Sequence, residues 1–204
     1  MSEKEDLRVI KTRRNIEEAF LDLLGEHSFD RITVRQLLDK ALISKGTFYA
    51  HYLDKYDLAE KIANDALGEF RAGIHARMEA ARTGNDHAAI MASLAHTLKN
   101  TIPRLCRLQS VHTEKIDIER DMRAIITEEY FTFQRGRGAK LECPELRAQI
   151  VTTFILGFLA WQQAHPFENT LAEYVHEIYL MVSEYETAIA AMMKQPKGET
   201  RCGT

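Results

Sequence analysis

The sequence predicts an all-α protein, and two features of its composition and patterning point to that fold class. Only four prolines and ten glycines occur among 204 residues, and β-branched residues do not alternate strictly with polar ones as they do in half-buried strands. Apolar residues instead recur at every third or fourth position almost throughout, which is the period of an amphipathic helix. We therefore expect about nine helices, arranged as an N-terminal three-helix domain and a larger helical bundle.

The composition predicts a soluble, cytoplasmic protein with its own hydrophobic core. Hydrophobic residues make up 45% of the chain and the net charge is −3, so neither disorder nor non-specific coating of nucleic acid is expected. The three cysteines form no Cys-x-x-Cys pair, which argues against a disulfide framework or a zinc site, and we expect no metal and no cofactor. The charged N-terminus lacks the apolar stretch of a signal peptide, and the longest apolar run, residues 151–161, is too short to span a membrane.

One amphipathic helix and a capping signal open the N-terminal domain. The second helix is predicted to begin at Thr33, because Thr33 and Gln36 have the spacing of a capping box, in which each side chain bonds to the other residue's backbone N–H. The first helix is expected to bury one stripe of apolar residues, made of Ile16, Ala19, Phe20, Leu23 and Leu24.

A very short third helix follows after a tight turn. Ser44 is a good N-cap for a helix that runs to about Tyr49, and Asp54 is a good N-cap for a fourth helix that runs to about Arg82. Only the few residues between Ala41 and Ser44 connect the second helix to the third. The two helices must therefore cross at a steep angle, as they do in helix-turn-helix units.

The third helix, S44-K-G-T-F-Y-A-H-Y52, combines apolar anchors with hydrogen-bonding groups. Phe48 and Tyr52 are the candidates to hold the helix against the core. The remaining side chains suit a DNA duplex, because lysine and hydroxyl donors reach phosphate oxygens and glycine lets two backbones approach closely. These residues are Ser44, Lys45, Gly46, Thr47, Tyr49 and His51.

The stretch ITVRQLLDKALISKGTFYAHYLDKYDLAEKI at 32–62, with Thr12, Ile16, Phe20 and Phe29 before it, resembles the DNA-binding domain of the TetR/AcrR family of regulators. The run S-K-G-T-F-Y-x-H-Y-x-x-K carries most of this resemblance. It implies a DNA-binding domain over 1–54, an effector-binding and dimerisation domain over 55–194, and a flexible tail over 195–204. The implied contacts with a DNA operator place two residues beside phosphates, several in or beside the major groove, and a lysine on the backbone. In chain order these residues are Thr33, Arg35, Ser44, Lys45, Gly46, Thr47, Tyr49, His51 and Lys55.

Two features of the segment oppose tight DNA binding. The family usually has glycine in the turn where this chain has Leu42, so a left-handed turn costs more free energy here. Residues 1–60 contain ten Lys and Arg against twelve Asp and Glu, and a domain of net negative charge binds DNA weakly unless its acids face away. The start of the first helix is nonetheless locally basic and can reach a phosphate or the minor groove, through Arg8, Lys11, Arg13 and Arg14.

Helices are further predicted at about 86–101, 103–112, 116–135, 145–165 and 170–194. The last carries an unbroken 4-3 apolar spacing and the one before it is apolar nearly all round, so both need cover that one chain of this size cannot supply. In TetR/AcrR regulators the corresponding helices form a four-helix interface, which implies a homodimer on a roughly palindromic operator. The expected interface residues are Phe158, Val175, Ile178, Val182, Tyr185 and Ile189.

The middle helices are expected to enclose a pocket for a small-molecule effector, as in a ligand-responsive repressor. The sequence does not identify the effector, although the aromatic content of the region favours an apolar or aromatic compound. The candidate lining residues are Met91, His96, Cys106, Ile126, Tyr130, Phe154 and Trp161.

Three alternative functions follow from individual features. Glu173-x-x-His176 has the spacing of half a di-iron carboxylate site, but no second Glu-x-x-His accompanies it, so an enzyme is not expected. Cys106 lies close to Arg104 and Arg107, which can lower a thiol pKa and would suit a redox sensor. The acidic balance and the residue in the turn leave open an interaction protein that keeps the fold but acts through a partner protein instead of DNA.

Overall fold

The structure is a computed structural model that describes residues 3–83, 97–136 and 143–165, together with the single positions 173, 176, 177 and 180. These residues form helices and no strand, which confirms the predicted all-α class. The α-helices are α1 (Glu3–Glu26), α2 (Val34–Ala41), α3 (Lys45–Tyr49), α4 (Lys55–Thr83), α5 (Ile102–Leu108), α6 (Ile118–Gly136) and α7 (Pro144–Ala164). A 3₁₀ turn at Phe29–Arg31 and a π-helical turn at Thr97–Thr101 complete the elements.

The described part of the chain therefore has seven α-helices, where about nine were expected over the whole chain. The helix predicted at 86–101 lies outside the described residues except for the π-helical turn, and the helix at 170–194 lies outside them except for four single positions. The chain divides into two compact units, residues 1–159 and 160–204. In the second unit the rings of Trp161 and His165 stack with their centroids 3.9 Å apart.

The apolar stripe predicted for the first helix is buried along its whole length, with exposed fractions between 0% and 8%. Phe20 meets Phe29 of the 3₁₀ turn edge to face, with ring centroids 6.1 Å apart. Phe48 of α3 and Tyr52 just after it are also buried, with ring centroids 5.8 Å apart. Burial of these aromatic rings supplies most of the free energy that holds three short elements against α1.

Each of the three predicted helix starts has the cap that the sequence indicated. Thr33 and Gln36 form both bonds of the capping box, because the backbone N–H of each residue donates to the side chain of the other. The Ser44 hydroxyl accepts from the backbone N–H of Thr47 at 3.1 Å. Asp54 accepts from two backbone N–H groups in the first turn of α4. These caps fix the first residue of α2, α3 and α4 and so set the length of the connections between them.

The turn between α2 and α3 is left-handed at Leu42, with φ 54° and ψ 46°. The backbone N–H of Ile43 donates to the carbonyl of Leu38 at 3.1 Å, which is the bond of a Schellman motif at a helix end. From α1, the Asn15 side chain donates to the carbonyl of Ala41 at 2.8 Å. The left-handed conformation thus persists without glycine, and the Leu42 side chain is 90% exposed.

The longest helix, α4, packs mainly against α6 and also against α5. Ion pairs join them, from Arg71 to Glu128 at 2.8 Å and from Arg104 to Glu69 at 2.9 Å. The hydroxyls of Thr127 in α6 and Thr152 in α7 lie 3.2 Å apart. The buried face of α4 consists of Leu58, Ala59, Ile62, Ala63, Ala66, Phe70 and Ile74.

Replacing Leu42 with glycine should stabilise the protein. The exposed leucine side chain contributes no packing. A left-handed conformation costs a residue other than glycine roughly 1–2 kcal/mol. Part of this gain in stability is lost in the variant, because glycine has more conformational entropy in the unfolded chain. We expect the free energy of unfolding in urea to rise by about 0.5–1 kcal/mol in Leu42→Gly. Leu53→Gly is the control, because Leu53 is 79% exposed but has no positive φ. An equal gain in both variants would show that the turn is not strained.

Candidate nucleic-acid interface

The residues predicted to contact DNA lie at the start of α2, along and just after α3, and at the start of α4. Six of the nine are exposed and the other three are half-buried. None of the nine side chains is fully buried, so the set is compatible with a surface that meets a ligand. The exposed ones are Thr33, Arg35, Ser44, Lys45, Gly46 and Tyr49, and the half-buried ones are Thr47, His51 and Lys55.

Lys45 and Tyr49 form the exposed face of α3. They are one helical turn apart, and the Lys45 Nζ lies 5.8 Å from the centroid of the Tyr49 ring. The Tyr49 ring also meets the edge of buried Phe48, with centroids 5.3 Å apart and planes at 90°. The phenol is 47% exposed. A cation and a hydroxyl are thereby held at the surface on a helix whose opposite side is anchored.

Two hydroxyls and an open glycine complete α3. The Ser44 and Thr47 hydroxyl oxygens lie 2.8 Å apart, so one donates to the other while free lone pairs remain for an outside donor. A Cβ placed on Gly46 would meet only the Ser44 Oγ, at 3.8 Å, which is ordinary contact. The fold itself therefore does not require glycine at position 46, and a reason for it must come from something that approaches this surface.

Tyr52 fastens the end of α3 to α1. Its hydroxyl donates to the Glu17 carboxylate at 3.0 Å, and its ring is 2% exposed. Burial, opposed by Arg13 and reinforced by the neighbouring Glu17 carboxylate, raises the pKa of Tyr52 to about 12. The phenol therefore stays neutral, as a hydrogen-bond donor, at any physiological pH.

Lys55, which was expected to contact the DNA backbone, makes hydrogen bonds inside the protein in this structure. Its ammonium donates to the carbonyls of Phe29, Asp30 and Ile32 at 2.9, 3.1 and 3.0 Å. It also lies 4.7 Å from the Phe29 ring centroid and 5.4 Å from that of Tyr56. An ammonium has only three protons to donate, so a phosphate would have to displace one of these carbonyls. The geometry makes Lys55 a link between the 3₁₀ turn and the start of α4.

Ion pairs offset the net negative charge of the N-terminal domain. Glu17, Glu18, Asp22, Glu26 and Asp57 each lie within 4.0 Å of an arginine or lysine, so much of the negative charge is compensated locally. Among the residues that the structure describes, four exposed cations before Lys55 have no carboxylate partner. They are Arg8, Lys11, Arg31 and Lys45.

The four cations predicted to make the first helix basic fall into two pairs. Arg13 and Arg14 are ion-paired with glutamates four residues later in α1. Arg8 and Lys11 instead line a groove of about 590 Å³ beside Ile43, at the turn that precedes α3. The pairing of Arg13 and Arg14 could have been predicted from the sequence, because Glu17 and Glu18 have the i,i+4 spacing that neutralises a helical arginine.

The residues expected around an effector have different surroundings. Ile126 and Tyr130 are buried in the α6 core, Cys106 and Phe154 are half-buried, and Trp161 is 40% exposed. Met91 and His96 lie outside the described residues.

The redox-sensor hypothesis for Cys106 meets opposing observations. Burial raises the pKa of the Cys106 thiol, which disfavours the reactive thiolate. The two flanking arginines point their charge elsewhere, since Arg104 pairs with Glu69 and Arg107 with Asp22. Among the described side chains, no group of three or more His, Cys, Asp or Glu residues could hold a metal ion. No helix in the same part of the chain has the length and apolarity to cross a bilayer.

The expected dimer residues lie mostly beyond the described part of the chain. Val175, Ile178, Val182, Tyr185 and Ile189 all fall outside it. Phe158 is described, and it is only 3% exposed within a single chain. Its place in a dimer interface stays a prediction.

Comparison with known proteins connects this geometry to a family. Residues 16–62, which span the end of α1 through the start of α4, match the model of the family described as bacterial regulatory proteins, tetR family. The helix-turn-helix of this chain is thus similar to the DNA-binding domain of that family of transcriptional regulators.

Transcriptional regulators are also among the similar proteins. YxbF, an uncharacterised HTH-type transcriptional regulator of Bacillus subtilis strain 168, is 27% identical over 194 residues, which are 90% of this chain and 48% of YxbF. The chain thus spans about half the length of this relative. Two crystal structures share the fold of this chain. A protein assigned as a transcriptional regulator from Pseudomonas aeruginosa PAO1 has a TM-score of 0.60 at 18% identity, over 86% of this chain and 90% of its own. A TetR transcriptional regulator from Streptococcus agalactiae 2603V has a TM-score of 0.54 at 22% identity, over 87% of this chain and 97% of its own.

The raised pKa of Tyr52 predicts a specific loss of stability in alkali. An unfolded tyrosine ionises near pH 10 while folded Tyr52 stays neutral to about 12, so its contribution is complete below pH 10 and is lost as the pH rises toward 12. We expect wild type to lose about 1 kcal/mol relative to Tyr52→Phe between pH 8 and pH 11, measured by urea unfolding. A constant difference between the two proteins would contradict the shift.

Lys55 and Lys45 should differ in how much they contribute to the stability of the protein. Lys55→Met leaves three carbonyls without their donor, so the free energy of unfolding should fall by about 1–3 kcal/mol. Lys45→Met removes an exposed cation and should change it by no more than about 0.5 kcal/mol. Urea unfolding of both variants tests this, and equal losses would show that the three carbonyl bonds contribute nothing.

Proposed function

We propose that this chain is a ligand-responsive repressor that acts in the cytoplasm and binds a roughly palindromic DNA operator as a homodimer. The observation that carries the proposal is the surface of α3, where exposed hydrogen-bonding groups project from a helix fixed by buried Phe48 and Tyr52. A rigid support of this kind lets a few donors select DNA without losing binding energy to their own ordering.

The chemistry of α3 suits the major groove of B-DNA. Lys45 can donate to a phosphate or to the acceptor atoms of guanine, and the Tyr49 hydroxyl can both donate and accept. The open backbone at Gly46 allows a sugar or phosphate to approach within contact distance. Phosphate contacts position the helix, while the groups that reach base edges supply the sequence preference.

The charges around α3 favour DNA binding that is moderate in affinity and sensitive to salt. The acids of α1 are largely paired, whereas Arg8 and Lys11 in the groove beside Ile43 have no carboxylate partner within the described residues. They lie next to the turn that leads into α3, where a DNA backbone would pass. Binding should therefore weaken steadily as the salt concentration rises, because each phosphate contact releases counterions.

Dimerisation is supported by the exposed apolar residues of α7. Leu146 and Ile150 are one turn apart on the same face and are 59% and 58% exposed. Large apolar side chains exposed at adjacent positions of one helix mark a surface that another molecule covers. A second copy of this chain is the occupant that a two-fold operator requires, since it would bring two α3 helices to successive turns of the duplex.

Gly46→Ala provides the decisive test of DNA binding. The added methyl fits the free protein and improves helix propensity, so stability should stay equal or rise by up to about 1 kcal/mol. The same methyl would obstruct a DNA backbone, and we expect affinity for a fragment of the chain's own upstream region to fall at least about tenfold, which corresponds to roughly 1.4 kcal/mol. Fluorescence anisotropy at several salt concentrations measures both affinity and its salt dependence.

A matched glycine controls for helix propensity. Gly68 is exposed in α4 and a Cβ there meets nothing within 4 Å, so Gly68→Ala should fold as well and bind DNA like wild type. Wild-type protein that binds no DNA, or binds it without salt dependence, would favour a protein that acts through a partner instead. Unchanged affinity in Gly46→Ala would remove α3 from the interface.

Leu146→Glu should convert a dimer into a monomer. A carboxylate placed in an apolar interface loses its hydration without gaining a partner, which disfavours association strongly. Light scattering after size exclusion should give twice 23.4 kDa for wild type and 23.4 kDa for Leu146→Glu. Leu53→Glu, at an exposed leucine outside α7, is the control and should remain dimeric. A dimer that survives Leu146→Glu would exclude this face of α7.

A further inference from the structure

The groove beside the turn before α3 has cations in its lining and no acid. Its volume is about 590 Å³, and its walls come from α1 and from the turn. Neither of its two cations has a carboxylate partner among the described side chains. Asn15 joins the walls, because its side chain donates to the carbonyl of Ala41 at 2.8 Å. We call this surface the α1 groove, and its lining residues are Leu7, Arg8, Lys11, Thr12, Asn15 and Ile43.

Large aliphatic side chains in and around the α1 groove are in contact with water. Leu7 in its wall and Ile10, three residues further along α1, are both 54% exposed. Leu42, which precedes Ile43 in the turn, is 90% exposed. Single exposed leucines are common, but three exposed aliphatic residues in the segments that form one groove mark a surface that another molecule covers.

Leu42 is present although the fold gains nothing from its side chain. Its φ of 54° lies in the left-handed region, where glycine avoids the strain that a side chain causes. The backbone hydrogen bond from Ile43 to Leu38, which holds the turn, does not involve the leucine side chain. A reason for leucine at this position must therefore come from something that binds beside the turn.

From the α1 groove and Leu42 we infer a docking site for an acidic amphipathic helix of a partner protein. Its carboxylates would pair with Arg8 and Lys11, and its aliphatic side chains would cover Leu7 and Leu42. In this mode of recognition, apolar anchors three or four residues apart provide the affinity. Complementary charges fix the orientation of the bound helix and exclude partners of the wrong sign.

A protein segment fits this surface better than DNA does. A phosphate backbone would satisfy the two cations, but it offers no aliphatic surface against which leucine and isoleucine side chains could be buried. The thymine methyl groups of DNA lie inside the major groove and not along the backbone. A helix with both carboxylates and aliphatic side chains matches the charge and the apolar part of the α1 groove together.

The docking site rests on the proposed function, because Arg8 and Lys11 are also the cations that would meet a DNA backbone beside α3. A partner helix in the α1 groove would therefore exclude DNA, and the partner would act as an antirepressor. Binding of the helix and binding of DNA should be mutually exclusive, and both should weaken as the salt concentration rises.

Peptide display on the full chain tests the chemistry of the occupant. A phage-displayed library of random peptides of about 15 residues, enough for four helical turns, is selected on wild type and depleted on Lys11→Glu. The enriched sequences should contain an excess of Asp and Glu, with large apolar residues at helical spacing. No enrichment, or enrichment of basic or purely polar sequences, would overturn the inference.

The most enriched peptide is then synthesised and its affinity is measured by fluorescence anisotropy. The dissociation constant should rise at least about tenfold in Lys11→Glu and about fivefold in Leu42→Gly. Leu42→Gly should be at least as stable as wild type, so weaker binding there does not arise from unfolding. Arg14→Glu and Leu53→Gly are the matched controls outside the α1 groove, and both should stay within about twofold of wild type. Equal losses in the variants and in their controls would refute this site.

Competition with DNA distinguishes failure of the docking site from failure of the proposed function. Saturating peptide should displace a fragment of the chain's own upstream region from wild type. DNA binding without any selected peptide refutes the docking site and retains the repressor. Peptide binding that depends on Lys11 and Leu42, in a protein that binds no DNA, refutes the repressor and retains the docking site. Simultaneous binding of peptide and DNA would overturn the antirepressor role.

Discussion

The burial of Phe48 and Tyr52 is the interaction on which the rest of this structure depends. A helix of five residues cannot persist by itself in water, because nucleation is costly and too few residues remain to offset that cost by propagation. Two aromatic rings therefore supply the free energy that the backbone cannot. The Ser44 cap and the bond from Tyr52 to Glu17 then fix where the helix begins and how its end meets α1. Every exposed donor on α3 takes its position from these few contacts.

In the same region, the charge of Lys55 is used to hold the fold together. A lysine at this point of the family motif is expected to meet a phosphate, yet here its three protons meet three carbonyls of the 3₁₀ turn and its end. That arrangement ties the loop after α1 to the first residue of α4. Under the proposed function, DNA binding would depend on cations without a carboxylate partner, such as Lys45, Arg8 and Lys11. The Nη1 atom of Arg77 in α4 is the opposite case, because it is buried and makes no hydrogen bond within the described part of the chain.

Much of the N-terminal fold could be predicted because its signals are local. The apolar stripe of α1 follows from the helical period, and the caps at Thr33, Ser44 and Asp54 follow from side chains that bond to backbone within the next three residues. The left-handed turn at Leu42 was also foreseen as a strain, and it exists because the carbonyls at the end of α2 are satisfied by Ile43 and Asn15. The resemblance to the TetR/AcrR family then predicted which exposed residues of α3 would contact DNA.

By itself the sequence determined the all-α class, the helix starts and the residues of α3 that lie at the surface, since each depends on neighbours a few positions away. Only the tertiary structure decided which charges are free. Arg13 and Lys11 look alike in the sequence, but one is paired and the other lines a groove. Phe158 and Leu146 are both apolar residues of α7, but one is buried and the other exposed. The partners of a long side chain come from distant segments, and no periodicity along the chain records them.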